Sequence, residues 1–229
     1  LQQARRLWIA QISHEVRTPL SVLRGELEAV QDGVRQADAN LLKNLLDEVL
    51  HISRLVNDLH TLAMADLGQL KCELQDCTLG ECLQPLMTRY QARATSMGIA
   101  FNQDWQGVTP ETAVYWDKGR VQQLLTNLLE NSLRYTDSPG VLQLTVAQEG
   151  CMICLQVEDS APTVPPEAMA QLFEPLYRTD TARQRKTGGS GLGLSIVKAI
   201  VQAHGGSVTV SPTPLGGLKF LVRLPPATT

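Results

Sequence analysis

The sequence predicts an α+β chain in two parts, a helical hairpin over residues 1–66 and an α/β sandwich over residues 67–229. Three observations predict it. Apolar residues recur at helical spacing in two long series, and a cluster of Asp, Gly and Asn separates them. After Ala65-Asp66-Leu67-Gly68 the pattern changes to short strand-like runs alternating with helix-like ones.

The first series is Leu7, Ile12, Val16, Leu20, Leu23, Leu27 and Val30. It buries one stripe and leaves His14 beside it, with Glu15 adjacent and Thr18 one turn further on the same face. Pro19 removes an amide donor and should kink or loosen the turn just after His14. Gly33 to Asn40 breaks the helix, and a second series runs Leu41, Leu45, Val49, Ile52, Val56, Leu59, Ala63. Two amphipathic helices alone cannot bury both stripes. The near-heptad spacing therefore predicts pairing with a second copy as a four-helix dimer. His51 and His60 have no acidic or metal-ligand neighbours at useful spacing and read as packing or surface residues.

In the second part, strand candidates are 70–76, 99–104, 112–116, 141–147, 151–158, 207–211 and 218–224. Helices are expected at 79–97, 118–135 and 191–204, with a shorter one near 166–172. Strands grouped with a few helices read as helices covering one face of a mixed sheet.

Composition narrows the function classes. A chain of 229 residues with 43% hydrophobic content has enough apolar material for real cores. A net charge of −3 and a pI near 5.8, without a basic stripe, argue against a nucleic-acid binder. No run of about 18 apolar residues is present and no cleavable signal heads the chain. The opening Leu1-Gln2-Gln3-Ala4 is mid-helix in pattern, which suggests a fragment of something longer. Five cysteines, an odd number without a paired framework, fit a reducing compartment. Cys151-Met-Ile-Cys154 spells C-x-x-C, but it lies in a strand-like run where residues three apart face opposite sides, and no second pair accompanies it.

Chemistry concentrates in four places. An ordinary histidine, with a pKa of about 6.5, is mostly uncharged near neutral pH and has a free ring lone pair, so His14 needs only a carboxylate such as Glu15 to fix its tautomer. On the 118–135 helix, Val121, Leu124, Leu125, Leu128 and Leu129 form the buried side, while Asn127, Asn131, Arg134 and Tyr135 gather on the other. Asparagines one turn apart are poor helix formers, and their amide oxygens suit Mg²⁺, which takes oxygen donors and keeps waters and phosphates in its shell.

Gly188-Gly189-Ser190-Gly191-Leu192-Gly193-Leu194-Ser195 opens the apolar helix Ile196, Val197, Ile200, Val201. Glycines there let backbone amides approach phosphates at a helix N-terminus. No G-K-[ST] follows, so this is not a Walker loop, and no strand immediately precedes it as a dinucleotide fingerprint requires. Upstream, Arg178, Arg183, Arg185 and Lys186 have the composition of a mobile basic lid over an anion. Asp159, at a strand end, either accepts from the exocyclic amine of adenine or simply forms a turn.

With these residues assembled, the chain resembles the cytoplasmic core of bacterial sensor histidine kinases over nearly all its length. His14-Glu-Val-Arg-Thr-Pro-Leu20 matches that family's H box and Asn127 to Thr136 its N box. Asp159 matches the first glycine box, Phe173 to Arg178 the F box, and Gly189 to Leu194 the second glycine box, with Gly216-Gly217 as a last glycine element. The family usually has glycine where this chain has Ala161 and Thr163, and often Phe where it has Leu176.

The resemblance implies a dimerising hairpin followed by an ATP-binding sandwich of the Bergerat type. It implies that His14 is the phosphoacceptor, Glu15 its orienting base, and Thr18 the residue that positions water in the reverse, phosphatase reaction. It places Mg²⁺ at Asn131 and Asn127, phosphate contacts at Arg134 and Arg178, adenine against Tyr135 and Asp159, and the nucleotide loop at Gly189, Gly191, Leu192, Gly193 and Leu194. Expected with these are ATP and Mg²⁺, a homodimer and a response-regulator receiver domain as partners, no nucleic acid, and a place at the cytoplasmic face of the inner membrane through segments outside this soluble piece. The alternatives are an ATPase of the gyrase/Hsp90/MutL superfamily and a non-catalytic dimeric scaffold. The former carries a water-activating Glu one turn before the Mg²⁺ asparagine, where this chain has Asn127, which cannot act as a base. The intact His14, Asn131 and Gly189–Leu194 elements argue against the latter.

Overall fold

The computed structural model describes residues 2–179 and 190–226, with side chains from Val16 onward. The chain divides into two compact units, residues 1–63 and 64–229.

In the first unit, α1 (Gln2–Gln31) and α2 (Ala39–Asp66, which crosses the unit boundary) form a helical hairpin. Helix α1 runs unbroken through Pro19, which is buried. Its C-terminus turns through Gly33 at φ +70°, and the Arg35 N–H donates to the Ala29 carbonyl, satisfying a last-turn acceptor. Asp38 then starts α2, its Oδ1 accepting from the Leu41 N–H at 2.7 Å. Arg35 also pairs with Glu26, tying the turn to α1.

The second unit contains β1 (Gln75–Thr78), α3 (Leu79–Ser96), β2 (Ile99–Gln106), β3 (Ala113–Trp116), α4 (Lys118–Tyr135), β4 (Gly140–Glu149), β5 (Met152–Asp159), α5 (Pro166–Met169), α6 (Gly193–Ala203), β6 (Ser207–Pro212) and β7 (Leu218–Leu224). Strands β2-β4-β5-β7-β6 form one mixed sheet, parallel between β2 and β4 and antiparallel elsewhere, while β1 pairs with β3 in a separate two-stranded ribbon. Strand alternation sets the core: Leu142, Leu144 and Val146, Ile153, Leu155 and Val157, and Phe220, Val222 and Leu224 all point one way and are buried. Their neighbours on the other face include Gln143, Gln156, Lys219 and Arg223. Helices α3, α4 and α6 cover the apolar face, each presenting a stripe such as Val121, Leu124, Leu125, Leu128, Leu129 on α4.

One expected element is misplaced. Residues 70–74 are not strand, and β1 spans only Gln75–Thr78. The alternation in Lys71 to Leu74 looks strand-like, but the Glu73 N–H is taken by a side chain, Asp117 Oδ2 at 3.0 Å, rather than by a neighbouring strand. Among the described residues no helix is long and apolar enough to cross a membrane.

Candidate functional site

The start of α4 and the end of α6 are fixed at one corner by their caps. Asp117 starts α4, its Oδ1 accepting from the Arg120 N–H at 2.9 Å while its other oxygen takes Glu73. His204, buried at the end of α6, locks the same corner: its Nε2 accepts from the Asp117 N–H at 3.2 Å and its Nδ1 donates to the Ile200 carbonyl at 2.9 Å, which assigns the neutral Nδ1–H tautomer. Burial lowers the His204 pKa, in keeping with that neutral form. Cys72 Sγ lies 3.3 Å from the same nitrogen; burial, with the Asp117 charge, pushes its thiol up to about 11.

Thus held, α4 buries its leucines and leaves Asn127, Asn131, Arg134 and Tyr135 half-buried on another side. Asn127 faces the start of α6, where its Oδ1 is 3.8 Å from the place a Cβ on Gly193 would occupy. Its Nδ2 is buried and, among the described residues, has no hydrogen-bond partner. A buried, unpaired amide donor costs roughly 1–3 kcal/mol, which a bound acceptor would offset.

The loop before α6 is built on backbone. Gly191 has φ +73°, and a Cβ there would sit 2.9 Å from the Leu176 Cα, so only glycine fits. The Gly191 carbonyl accepts from the Leu176 N–H at 2.9 Å, and Leu176 is itself in the left-handed region at φ 62°. This contact, with the strained backbone at Leu176, clips residues 173–178 to the glycine loop. Phe173 stacks edge-on against Phe220, and Glu174 pairs with Lys198 at 3.7 Å, holding the same segment to the sheet and to α6. Leu192 is buried, and its carbonyl accepts from Ser195 Oγ at 2.7 Å. Gly193 and Leu194 open α6, and Arg178 is half-buried.

Asp159 ends β5 and is 2% exposed. Its Oδ2 accepts from Ser132 Oγ at 2.6 Å, and its Oδ1 from the Leu218 N–H at 3.1 Å and the Ala161 N–H at 3.3 Å. Desolvation raises its pKa, and these three donors oppose the rise. Gly217 packs directly against it: a Cβ there would overlap Asp159 Oδ1 and the Asp159 carbonyl and lie 2.7 Å from the Ala161 carbonyl. Neither Ala161 nor Thr163 has a positive φ, so the backbone accepts a side chain at both positions where the resembled family has glycine.

The fold therefore gathers Asn127, Gly191, Leu192, Gly193, Leu194 and the 173–178 segment, and links Asp159 to α4 through Ser132. Ser132 is a site residue that the sequence reading missed; its signal was a hydroxyl inside the apolar stripe of α4, between Leu128 and Leu133. Thr18 lies exposed on α1 in the first unit. His14 and Glu15 are on α1, but their side chains are outside the described residues, as are Gly189, Arg183, Arg185 and Lys186. The C-x-x-C does not form a site: Cys151 is exposed in the β4–β5 turn and Cys154 is buried in β5. Glu130, next to Asn131, points to α3, where Tyr90 Oη donates to it at 2.7 Å and Arg93 pairs with it. Burial and this carboxylate push the Tyr90 hydroxyl up to about 12.

A hairpin bearing a histidine and a sandwich with a glycine loop beside a paired-asparagine helix define a class, and the chain belongs to it: it is a member of the sensor histidine kinase family. The family model for the His Kinase A (phospho-acceptor) domain matches residues 4–68, and that for the histidine kinase-, DNA gyrase B- and HSP90-like ATPases matches residues 116–228. In particular it is similar to the signal transduction histidine-protein kinase BaeS of Escherichia coli, with 44% identity over 98% of this chain and 47% of BaeS. The Acinetobacter baumannii histidine kinase AdeS has a similar structure, with TM-score 0.74 and 28% identity over 93% of this chain and 98% of that one. The histidine kinase ThkA, solved in complex with the response regulator protein TrrA, shares the fold, with TM-score 0.68 and 22% identity over 95% of this chain and 60% of that one. The chain spans less than half the length of the curated relatives it matches.

Proposed function

We propose that the chain is the catalytic core of a two-component kinase, with residues 1–66 as the dimerising phosphoacceptor domain and residues 67–229 as the ATP-binding domain. Nucleotide would bind between α4 and the glycine loop. The observation that carries this reading is the Asn127 side chain, which lies against the start of α6 with a buried Nδ2 unpartnered among the described residues, where the loop's glycines and the helix N-terminus favour a phosphate acceptor. Arg134 and Arg178 supply positive charge to the phosphates, Tyr135 packs on adenine, and Asp159 takes its exocyclic amine. Gly191, Leu192, Gly193 and Leu194 form the wall over the phosphates, and Gly189 would bind nucleotide with them.

Among the described residues no three His, Cys, Asp or Glu side chains gather as a metal cage. The amide oxygens of Asn131 and Asn127, together with the nucleotide's phosphates and waters, are oxygen donors compatible with Mg²⁺ and would hold it. When bound it would supply neutralisation of charge between the phosphates.

His14 would attack the γ-phosphorus in line, forming an N–P bond as the bond to the β-phosphate oxygen breaks and ADP leaves. Glu15 orients the ring. The phosphoryl group then passes to an aspartate of a receiver domain, and Thr18 positions water for the reverse, phosphatase reaction. Positioning and charge neutralisation do most of the work, as expected for a loose transition state. The receiver partner is supported by the family and by the ThkA complex, and the homodimer by the apolar face that α1 and α2 leave exposed. A place at the cytoplasmic face of the inner membrane, through segments outside this chain, belongs to the same proposal.

An ATPase reading is not favoured, since Asn127 holds the place of the water-activating Glu and Glu130 is committed to Tyr90 and Arg93. Radiolabelled ATP should label the wild type with acid-labile, base-stable phosphate and leave His14→Gln unlabelled. Label persisting in the variant would overturn the assignment, and turnover without phosphoprotein would favour the ATPase.

A further inference from the structure

Two sulfur atoms meet where β1 runs into α3. Thr78 caps α3 in a full capping box: its Oγ1 accepts from the Glu81 N–H at 3.2 Å and its own N–H donates to Glu81 Oε2 at 2.8 Å. Cys77 and Cys82 bracket that box, in the positions where a pair of apolar side chains ordinarily staples the start of a helix. Here both members of the staple are cysteines. Their Sγ atoms are 3.5 Å apart, and both thiols are free. The main chain at Cys77 is fixed by pairing with Val114 on β3, while Cys82 is fully buried at the base of α3.

We propose that Cys77 and Cys82 are a disulfide-forming pair, a redox modification site on the nucleotide-binding unit whose oxidant is a small-molecule disulfide. The bond needs an S–S separation of about 2.05 Å, an approach of the size that side-chain torsions supply with β1 and α3 in place. The two thiols have different parts. Cys77 is half-buried and meets the oxidant first. Burial, together with Cys77 itself, pushes the Cys82 thiol up to about 12, so it waits in protonated form.

The Cys77 thiolate attacks one sulfur of the small disulfide, forming a mixed disulfide and expelling one thiolate. Cys82 then gives up its proton and attacks the Cys77 sulfur, expelling the second thiolate. The protein loses two electrons and two protons, and the small disulfide becomes two thiols. The product joins β1 to the first turn of α3 covalently, whereas the reduced pair holds them only by packing.

The test treats the full chain with glutathione disulfide near neutral pH, alkylates remaining thiols after denaturation, and maps peptides after cleavage at glutamate, which cuts at Glu81 and separates the two cysteines. The expected product has lost two hydrogens, carries a Cys77–Cys82 link, reverts with dithiothreitol, and melts higher by roughly 5 °C in the nucleotide-binding unit. Cys77→Ser should abolish the link, and Cys82→Ala should stop the reaction at a glutathione adduct on Cys77. A triple variant lacking Cys72, Cys151 and Cys154 should still close. Alkylation of both thiols in the treated wild type, a Cys77 adduct that never closes, or a link to another cysteine would each overturn the proposal.

Discussion

The two units solve the burial problem in opposite ways. In residues 64–229, three helices and the inner face of the sheet remove Leu124, Leu142, Leu155, Phe220 and many others from water entirely. In the hairpin, among the described side chains, Leu41, Leu55 and Leu62 are the buried large apolar residues, while Leu20, Val22, Leu27, Leu42, Leu46, Val49, Leu50 and Val56 are each about half exposed. One unit closes its own core. The other presents half of a core, and an exposed apolar face of that extent marks an association surface. On α2 the exposed Leu42, Val49 and Val56 recur every seven residues, the spacing of a seam that faces another helix.

The strongest way to break this comparison is to charge the seam. Val49→Asp places an unpaired carboxylate in the proposed dimer core and should cost about 4 kcal/mol of assembly, turning a dimer into a monomer with a loosened hairpin. Sedimentation reads the assembly. With Trp8 and Trp105 replaced by Phe in both the variant and its reference, the emission of Trp116, which is buried in the second unit, reads the sandwich and should melt as without the Val49 change. An unchanged sedimentation coefficient would mean that the exposed face serves something other than self-association.

The same contrast explains what the sequence shows and hides. Helical and strand periodicity is a local signal, so the two hairpin helices, the core strands and the five buried positions of α4 could all be read directly. The Asn127 and Gly191–Leu194 elements were also legible, because amides and glycines are unusual where they stand. The neighbours of Asp159 were not. Ser132 and Gly217 reach it only after β5, β7 and α4 are assembled, and nothing local marks a serine as the donor to a particular carboxylate or a glycine as the one that must lack a Cβ. The extended 70–74 stretch failed for the same reason, its hydrogen bond going to a side chain 44 residues away.

Gly217→Ala sharpens the comparison from the other side. The added methyl overlaps main-chain and carboxylate oxygens of Asp159 in a unit that has no slack, and overpacking of this kind costs about 3 kcal/mol. Urea denaturation followed through Trp116, in the same background with Trp8 and Trp105 replaced, should show that loss, with an unchanged oligomeric state. A shift below about 0.5 kcal/mol would mean that the β7 turn yields easily and that the second unit is less closed than its burial suggests.

The subtlest consequence concerns protons. Only a unit that excludes water can desolvate a carboxylate, and Asp159 is the group it acts on: desolvation outweighs the Ser132, Leu218 and Ala161 donors, so its folded pKa lies above the ordinary 3.8. The folded unit therefore holds this proton over a pH range in which the unfolded chain has released it. Between about pH 4 and the folded pKa the native state binds more protons than the unfolded state, and stability falls as pH rises. The contribution is fully present below the unfolded value, is lost through the folded pKa, and is flat above it. Asp159→Asn fixes the neutral form while keeping an acceptor for the Leu218 and Ala161 N–H groups, so it should remove this slope. The stability of the variant relative to wild type should rise with pH across the window and then level off. A difference that stays constant with pH, or falls, would show that the three donors, not burial, dominate at Asp159, and that the closed unit is wetter at this corner than its packing implies.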